Sequence, residues 1–371
     1  MTLRQAFVHR LSAAGPDDVS GLLAAIGAGR IDPAGIVAVI GKTEGNGCVN
    51  DFTRAFAVRA YTDALARFLP PEALSKLSLV MSGGTEGALA PHVLVLERRP
   101  AGAGAASGPA LAIGSAHTAP LASEDLGRRG QVRMVAAAVR AAMADAGLDG
   151  PEDVHFVQVK CPLLTADRIA AAEARGATVA TRDTLKSMGL SRGAAALGVA
   201  VALQEVDIDS VSDAGIGRDV RLWSGRASTS GGVELLNHEI VVLGMGRGWA
   251  GPLAIDHAVM ADQIDVEPVR EAMLRLGLPA ERQLAGAGRD RLVALLAKAE
   301  AGSANRLRGY RHTMLDDSDI SSTRHARAFV AGALAALTGH AEIFVSGGAE
   351  HQGPDGGCPV AVIAQRTGGP P

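Results

Sequence analysis

One short phrase occurs three times in this chain: Ser82-Gly83-Gly84, Ser230-Gly231-Gly232 and Ser346-Gly347-Gly348. The flanks repeat with it, as LSLVMSGGTEGALAPHVLVLER, RASTSGGVELLNHEIVVLGM and AEIFVSGGAEHQGPDGGCPVAVIAQ. Each reads as strand, glycine-rich turn, acidic residue, strand, a hairpin stated three times over the length of the chain. A sequence built this way is constrained to three like units. The phrase also has a chemical use. A serine ahead of two glycines presents its hydroxyl without neighbouring side chains, and the glycine N–H groups are free to point at an oxygen.

The segments between the phrases give each unit the order β-α-β-α-β-β. In the first, LRQAFVHRL, a helix capped at Pro16-Asp17-Asp18, the strand GIVAVIGK ending at Lys42 and the helix DFTRAFAVRAYTDALARFL lead to the Ser82 hairpin. The Gly/Ala/Ser/Pro stretch from Pro100 to Pro109 reads as a linker. The second unit repeats the order through VHFVQVK to Lys160, carries an insert, and resumes with a helix starting at Ser191-Arg192 before the Ser230 hairpin. The third runs through DRLVALLAKAE, with Lys298 and Glu300, and a helix opened by Ser321-Ser322-Thr323-Arg324. The units span residues 1–103, 111–250 and 254–371. The expected fold class is α/β: three similar units about a pseudo-three-fold axis, with a barrel-like core and outer helices.

Each unit thus supplies a lysine at a strand end, an arginine near a helix start and a serine before glycines. They are Lys42, Arg54, Ser82; Lys160, Arg192, Ser230; Lys298, Arg324, Ser346. Packed about an axis, the nine would converge on one cavity. Hydroxyls, the N–H groups of Gly83, Gly231 and Gly347, and guanidinium forks all donate, so the fitting guest is a flat ring with carbonyls around its edge. A lysine can serve as base to a serine only when neutral, which requires burial or neighbouring cations to lower its pKa from ~10.4. Glu44 and Glu300 stand two residues beyond Lys42 and Lys298, on the same face of an extended strand, and would keep those two charged. Lys160 is followed by Cys161-Pro162 instead. The expectation is therefore Lys160 as base and Ser230 as nucleophile, with Lys42, Lys298, Ser82 and Ser346 holding the ring and Cys161 a buried small apolar residue.

Composition narrows the partners. A net charge of −3 with interspersed signs offers no basic stripe for nucleic acid and no polybasic run for a membrane. No apolar run approaches the ~18 residues of a span, and the start lacks a signal-peptide core, so the cytoplasm is the expected location. Three cysteines without a CxxC pair exclude a zinc ribbon and fit a reducing compartment. Gly244-x-Gly246-x-Gly248 runs into a proline rather than a helix, against a dinucleotide site, and no H-x-H or H-E-x-x-H motif marks a zinc hydrolase. A non-catalytic small-molecule sensor built from three lobes is the remaining alternative class. It would bind without turnover.

In the three phrases and in GKTEGNGCVNDFTRAF, VKCPLL, SRGAAALG and SGGAEHQGPDGGCPV, the chain resembles the cyanuric acid hydrolase and barbiturase family along essentially its whole length. The resemblance implies ring-opening hydrolysis of cyanuric acid to carboxybiuret, which loses carbon dioxide to give biuret, by the serine and lysine of the middle unit. It implies a homotetramer, no organic cofactor, and a structural magnesium or calcium ion at Glu300 with the loop Ala349, Gln352, Gly353, Pro354 and Gly357. A carboxylate plus backbone carbonyls suits such a hard cation. Barbiturate presents a similar carbonyl-rimmed ring, and Ile320, just before Arg324, is the residue expected to discriminate between the two.

Overall fold

The computed structural model describes residues 3–102 and 108–367; residues 103–107 of the linker lie outside the described residues. The first group of elements is β1 (Arg4–Ser12), α1 (Ser20–Gly27), β2 (Ile36–Lys42), α2 (Phe52–Leu65), α3 (Pro71–Leu74), β3 (Ser78–Ser82) and β4 (His92–Pro100). The second is β5 (Ala110–His117), α4 (Arg129–Ala146), β6 (Val154–Pro162), α5 (Ala166–Ala174), α6 (Thr184–Ala202), β7 (Ala227–Gly232) and β8 (Glu239–Gly246), followed by the short β9 (Trp249–Ala250). The third is β10 (Leu253–Met260), α7 (Glu267–Arg275), α8 (Gly286–Asp290), β11 (Leu292–Ala299), a small hairpin β12 (Arg306–Leu307) and β13 (Tyr310–Arg311), α9 (Ser322–Thr338), β14 (Phe344–Gly347) and β15 (Cys358–Gln365). The expected order is present in each group, with α3, α5, α8 and the β12–β13 hairpin as additions.

Three sheets result, ordered β3-β2-β4-β1, β7-β6-β8-β5 and β14-β11-β15-β10, with β9 added in parallel at the β1 edge. The order within the three is the same. So is a register irregularity near the start of the second strand, between Ile36 and Ala38, Val154 and Phe156, and Leu292 and Ala294. Two expectations are corrected here. The Ser-Gly-Gly strand does not form a hairpin with the strand that follows it, because the Lys-bearing strand lies between them, parallel to the first and antiparallel to the second. And the sheets are open rather than a barrel. Between units, main-chain hydrogen bonds run through the two residues of β9, through Ser224, which pairs with the 351–353 turn, and through Ala90, which donates to the Ala341 carbonyl; side chains make the rest of the contact.

The strands read as continuous apolar runs because both faces are covered. In the first sheet Val39, Val93 and Val95 pack with Leu22, Ala57 and Tyr61 from α1 and α2. Their neighbours Ile40, Leu94 and Leu96 point the other way, into a core shared with Val157 and Leu243 of the second sheet and Leu296 and Phe344 of the third. The period-two alternation thus assigns one face of each sheet to its own helices and the other to the shared centre. No described helix is long and apolar enough to cross a membrane.

Candidate active site

The parallel pairing of each Lys-bearing strand with its Ser-bearing strand sets the site. Lys42 stands in register with Ser82, Lys160 with Ser230 and Lys298 with Ser346. All six side chains are buried, the lysines at 2% exposure or less. Lysines also reach across to the neighbouring unit. Lys160 Nζ donates to the Met81 carbonyl at 2.7 Å and Lys298 Nζ to the Thr229 carbonyl at 2.9 Å, the residues just before Ser82 and Ser230. The remaining seam is closed by the hydroxyls of Ser82 and Ser346, 3.1 Å apart.

A second set of contacts runs the opposite way around the units. Glu86, Glu234 and Glu350 stand at one fixed offset after the three serines. Arg54 on α2 donates to the Gly231 carbonyl at 3.3 Å and lies 4.0 Å from Glu234. Arg192 on α6 forks onto Glu350 at 2.9 and 2.6 Å, and Arg327 on α9 meets Glu86 at 2.6 Å. Each arginine thus grips the acidic residue of the next unit. Asp51 does not pair with Arg54. It caps α2, accepting the Thr53 N–H, and so fixes where Arg54 begins the helix.

Two arginine expectations change. Arg192 lies in mid-helix, because Asp183 caps α6 well before Ser191 by accepting the Lys186 N–H. In the third unit the buried arginine is Arg327, at 5% exposure, whereas Arg324 is 44% exposed and reaches Glu86 at 3.3 Å. Three residues apart on a helix, the two share a face, and spacing alone does not separate them. Both border a cavity of about 670 Å³ with Gly47, Met188, Arg192 and Gly347. Ile320 is on the adjoining loop, 45% exposed, its N–H donating to Asp317 Oδ1.

The glycines are required by close approach. A Cβ on Gly84 or Gly348 would fall within 2.6 Å of the Arg327 or Arg192 guanidinium, and both residues have φ in the left-handed region, at +79° and +72°. Gly83 and Gly231 likewise pack against Asp51 and Met188.

The carboxylate argument for Lys160 is overturned. β2 ends at Lys42 and β11 at Ala299, so the alternation of faces does not extend to Glu44 or Glu300. Glu44 is exposed, and Glu300 accepts the Ala301 and Ala349 N–H groups instead of pairing Lys298. Lys160 is the one beside carboxylates: Glu234 at 2.7 Å, and Glu239 opposite it across the β6–β8 ladder. Burial lowers the pKa of all three lysines. Lys42 falls well below its usual value, with Arg327 and Lys298 adding to the burial effect, and Lys298 falls to about 7. Lys160 is held up by Glu234 against burial.

What distinguishes the middle unit is the hydroxyl. Ser82 and Ser346 hold each other and accept from Lys42 at 3.4 Å and Lys298 at 3.3 Å. Ser230 Oγ is buried with no hydrogen-bond partner among the described residues. Cys161 is fully buried in the shared core, as expected.

Glu300 and Glu350 border a cavity of about 200 Å³ together with Ala349, Gly353 and Pro354. Burial and Glu350 raise the Glu300 pKa; Glu350 itself is balanced by Arg192, and the Glu300 carboxylate with the loop carbonyls is the kind of donor set a hard cation takes. Gln352 and Gly357 do not border it. The Gln352 side chain accepts the Thr229 N–H and donates to the Gly348 carbonyl, which ties the loop to β7. A separate cluster, His155, Asp256 and His257, was not foreseen from sequence. It opens β6, ~16 Å of strand away from Lys160, and is a closed hydrogen-bonded group with Asp256 held by Arg275.

The profile of the family described as amidohydrolase ring-opening protein matches residues 7–365. Cyanuric acid amidohydrolases from Bradyrhizobium sp. (strain ORS 375) and Azorhizobium caulinodans are 63% and 66% identical, over 99% and 98% of this chain and 99% of each relative. The crystal structure of a cyanuric acid hydrolase from A. caulinodans, 64% identical, superposes with a TM-score of 0.91 over 98% of this chain and 100% of that one. A second cyanuric acid hydrolase structure, described as an innovation by structural concatenation, is 48% identical with a TM-score of 0.93, over 98% and 100%.

Proposed function

This chain belongs to the amidohydrolase ring-opening family, a hydrolase of cyclic amides, and on that premise we propose that it opens cyanuric acid to carboxybiuret, which decarboxylates to biuret. The reading rests on one observation: the three Ser-Gly-Gly strand ends meet, with arginines reaching from each unit to the next and Lys160 and Lys298 reaching back to the unit before. This cyclic order supports a pseudo-three-fold arrangement, matched to a ring with three carbonyls. The Ser hydroxyls, the N–H groups of Gly83, Gly231 and Gly347, and Arg54, Arg192 and Arg324 then bind the ring edge, with Lys42 and Lys298 polarising it.

Ser230 is the proposed nucleophile, because its hydroxyl is the one of the three not already engaged. Its Oγ attacks a ring carbonyl carbon while Lys160, in register beside it, takes the hydroxyl proton. Collapse of the tetrahedral adduct breaks the ring C–N bond, and Lys160 returns the proton to the departing nitrogen. Water then releases the acyl group from Ser230. A magnesium or calcium ion held by Glu300 and the carbonyls of the 349–354 loop would stabilise that loop, which Gln352 ties to β7. A homotetrameric assembly and a cytoplasmic location complete the proposal.

The test is a paired assay of the purified protein on cyanuric and barbituric acids, following ring consumption and carbon dioxide release. Turnover of cyanuric acid is expected. A preference for barbituric acid would overturn the substrate, and tight binding of both without turnover would make the protein a sensor.

A further inference from the structure

We propose that Glu234 is the positioning residue that accepts the Lys160 proton as the reaction begins, leaving a neutral amine in register with Ser230; this rests on the Lys160–Ser230 reading above.

The three acidic residues of the repeat do not do the same thing. Glu86 and Glu350 are each held at 2.6 Å by the arginine of the neighbouring unit. Glu234 stands 4.0 Å from its arginine, Arg54, and 2.7 Å from Lys160. The backbone explains the departure. β3 ends at Ser82 and β14 at Gly347, and Gly84 and Gly348 turn through the left-handed region. β7 instead continues through Gly232, which pairs with Pro162 and stays out of that region. The chain therefore turns later in the middle unit. Glu234 is carried back over its own strand end, where a Cβ on Gly232 would meet its carboxylate at 2.2 Å. The carboxylate lies at ion-pair distance from Lys160, and neither of its buried oxygens has a hydrogen-bond partner among the described residues.

The balance is simple. At rest the two form an ion pair, with Lys160 and Arg54 holding the Glu234 carboxyl below its usual range. One proton then moves from the ammonium to the carboxylate, giving a neutral amine and a neutral acid, and burial, which disfavours both charged forms, narrows the gap between the two states. The amine then accepts the Ser230 proton as the Oγ–carbon bond forms. The other ionisable groups facing Lys160 and Glu234 are Arg54 from α2, Cys161 beside Lys160 on β6, and Glu239 on β8, which accepts the Leu79 N–H.

The experiment compares E234Q, E234D and S230A with the wild type, measuring kcat and KM from pH 5 to 10 and thermal melting. E234Q is expected to lose about 10²–10⁴-fold in kcat at neutral pH, with KM within a few fold. Its acidic limb should move to higher pH than the wild type's, since Lys160 must now lose its proton to solvent. E234D should recover part of the rate. If Glu234 merely anchored the ammonium, removing it would lower the Lys160 pKa, and the limb would move to lower pH; that shift, or an E234Q kcat within threefold of wild type, overturns the proposal. Equal loss in E234Q and E234D with a matching drop in melting temperature also overturns it, as a structural effect. An active S230A overturns the dyad itself, separately from the role of Glu234.

Discussion

Ser82 and Ser346, separated by 264 residues, place their hydroxyl oxygens 3.1 Å apart, and each also accepts from the lysine in register with it. This four-member chain leaves Ser230 as the one hydroxyl of the three without a hydrogen-bond partner among the described residues. S230A should therefore abolish turnover while retaining ring binding. S82A and S346A should raise KM and lower kcat by about 10-fold each, the loss of one donor. Steady-state kinetics and calorimetric binding on the three variants check it; a dead S82A or S346A beside an active S230A would move the nucleophile to another unit.

Arg327 and Arg324 touch the same carboxylate but differ in burial. R327A should destabilise the fold by about 1–3 kcal/mol, since it removes the buried partner of Glu86 and leaves it the exposed Arg324. R324A should cost under ~1 kcal/mol, as an exposed pair does, and show its effect in KM. Denaturant unfolding of both variants distinguishes them.

Lys298, whose pKa burial and Arg192 push down to about 7, binds fewer protons folded than unfolded between pH 7 and 10.5. The unfolded chain holds the extra proton there, so this lysine makes stability rise with pH across that window, by up to ~1.4 kcal/mol per pH unit. K298M should flatten the rise. Chemical denaturation at intervals from pH 6.5 to 10 reads the slope, and an unchanged slope would mean that Lys298 titrates normally.

The cavity beside Glu300 should make melting depend on a divalent cation. Chelation is expected to lower the melting temperature by several degrees, restored by magnesium or calcium, and E300Q should remove the response. Calorimetry in the presence of a chelator decides it; the same melting temperature with and without chelator would leave Glu300 as a residue of the loop alone.

The repeat itself was legible in the sequence, because apolar strands covered on both faces, helix caps such as Asp51 and serines ahead of glycines are local features. The lysines and serines could be placed at strand ends for the same reason. What failed were inferences that depended on a neighbour distant in sequence. Glu44 and Glu300 lie just past strand ends, where the alternation of faces stops: Glu44 is exposed, and Glu300 raises the Lys298 pKa by less than burial and Arg192 lower it. The carboxylates beside Lys160 come instead from beyond Gly232, through a turn that starts later than its two counterparts.

By itself the sequence determined that three like units exist and which side chains end their strands, since both follow from periodicity and turn chemistry within a few residues. Only the tertiary structure decided that the sheets stay open, that Arg327 is the buried member of its pair, and that Ser230 keeps an unpartnered hydroxyl. Those outcomes depend on contacts between units, and a repeated phrase does not say which of its copies will be pulled out of line by its neighbours.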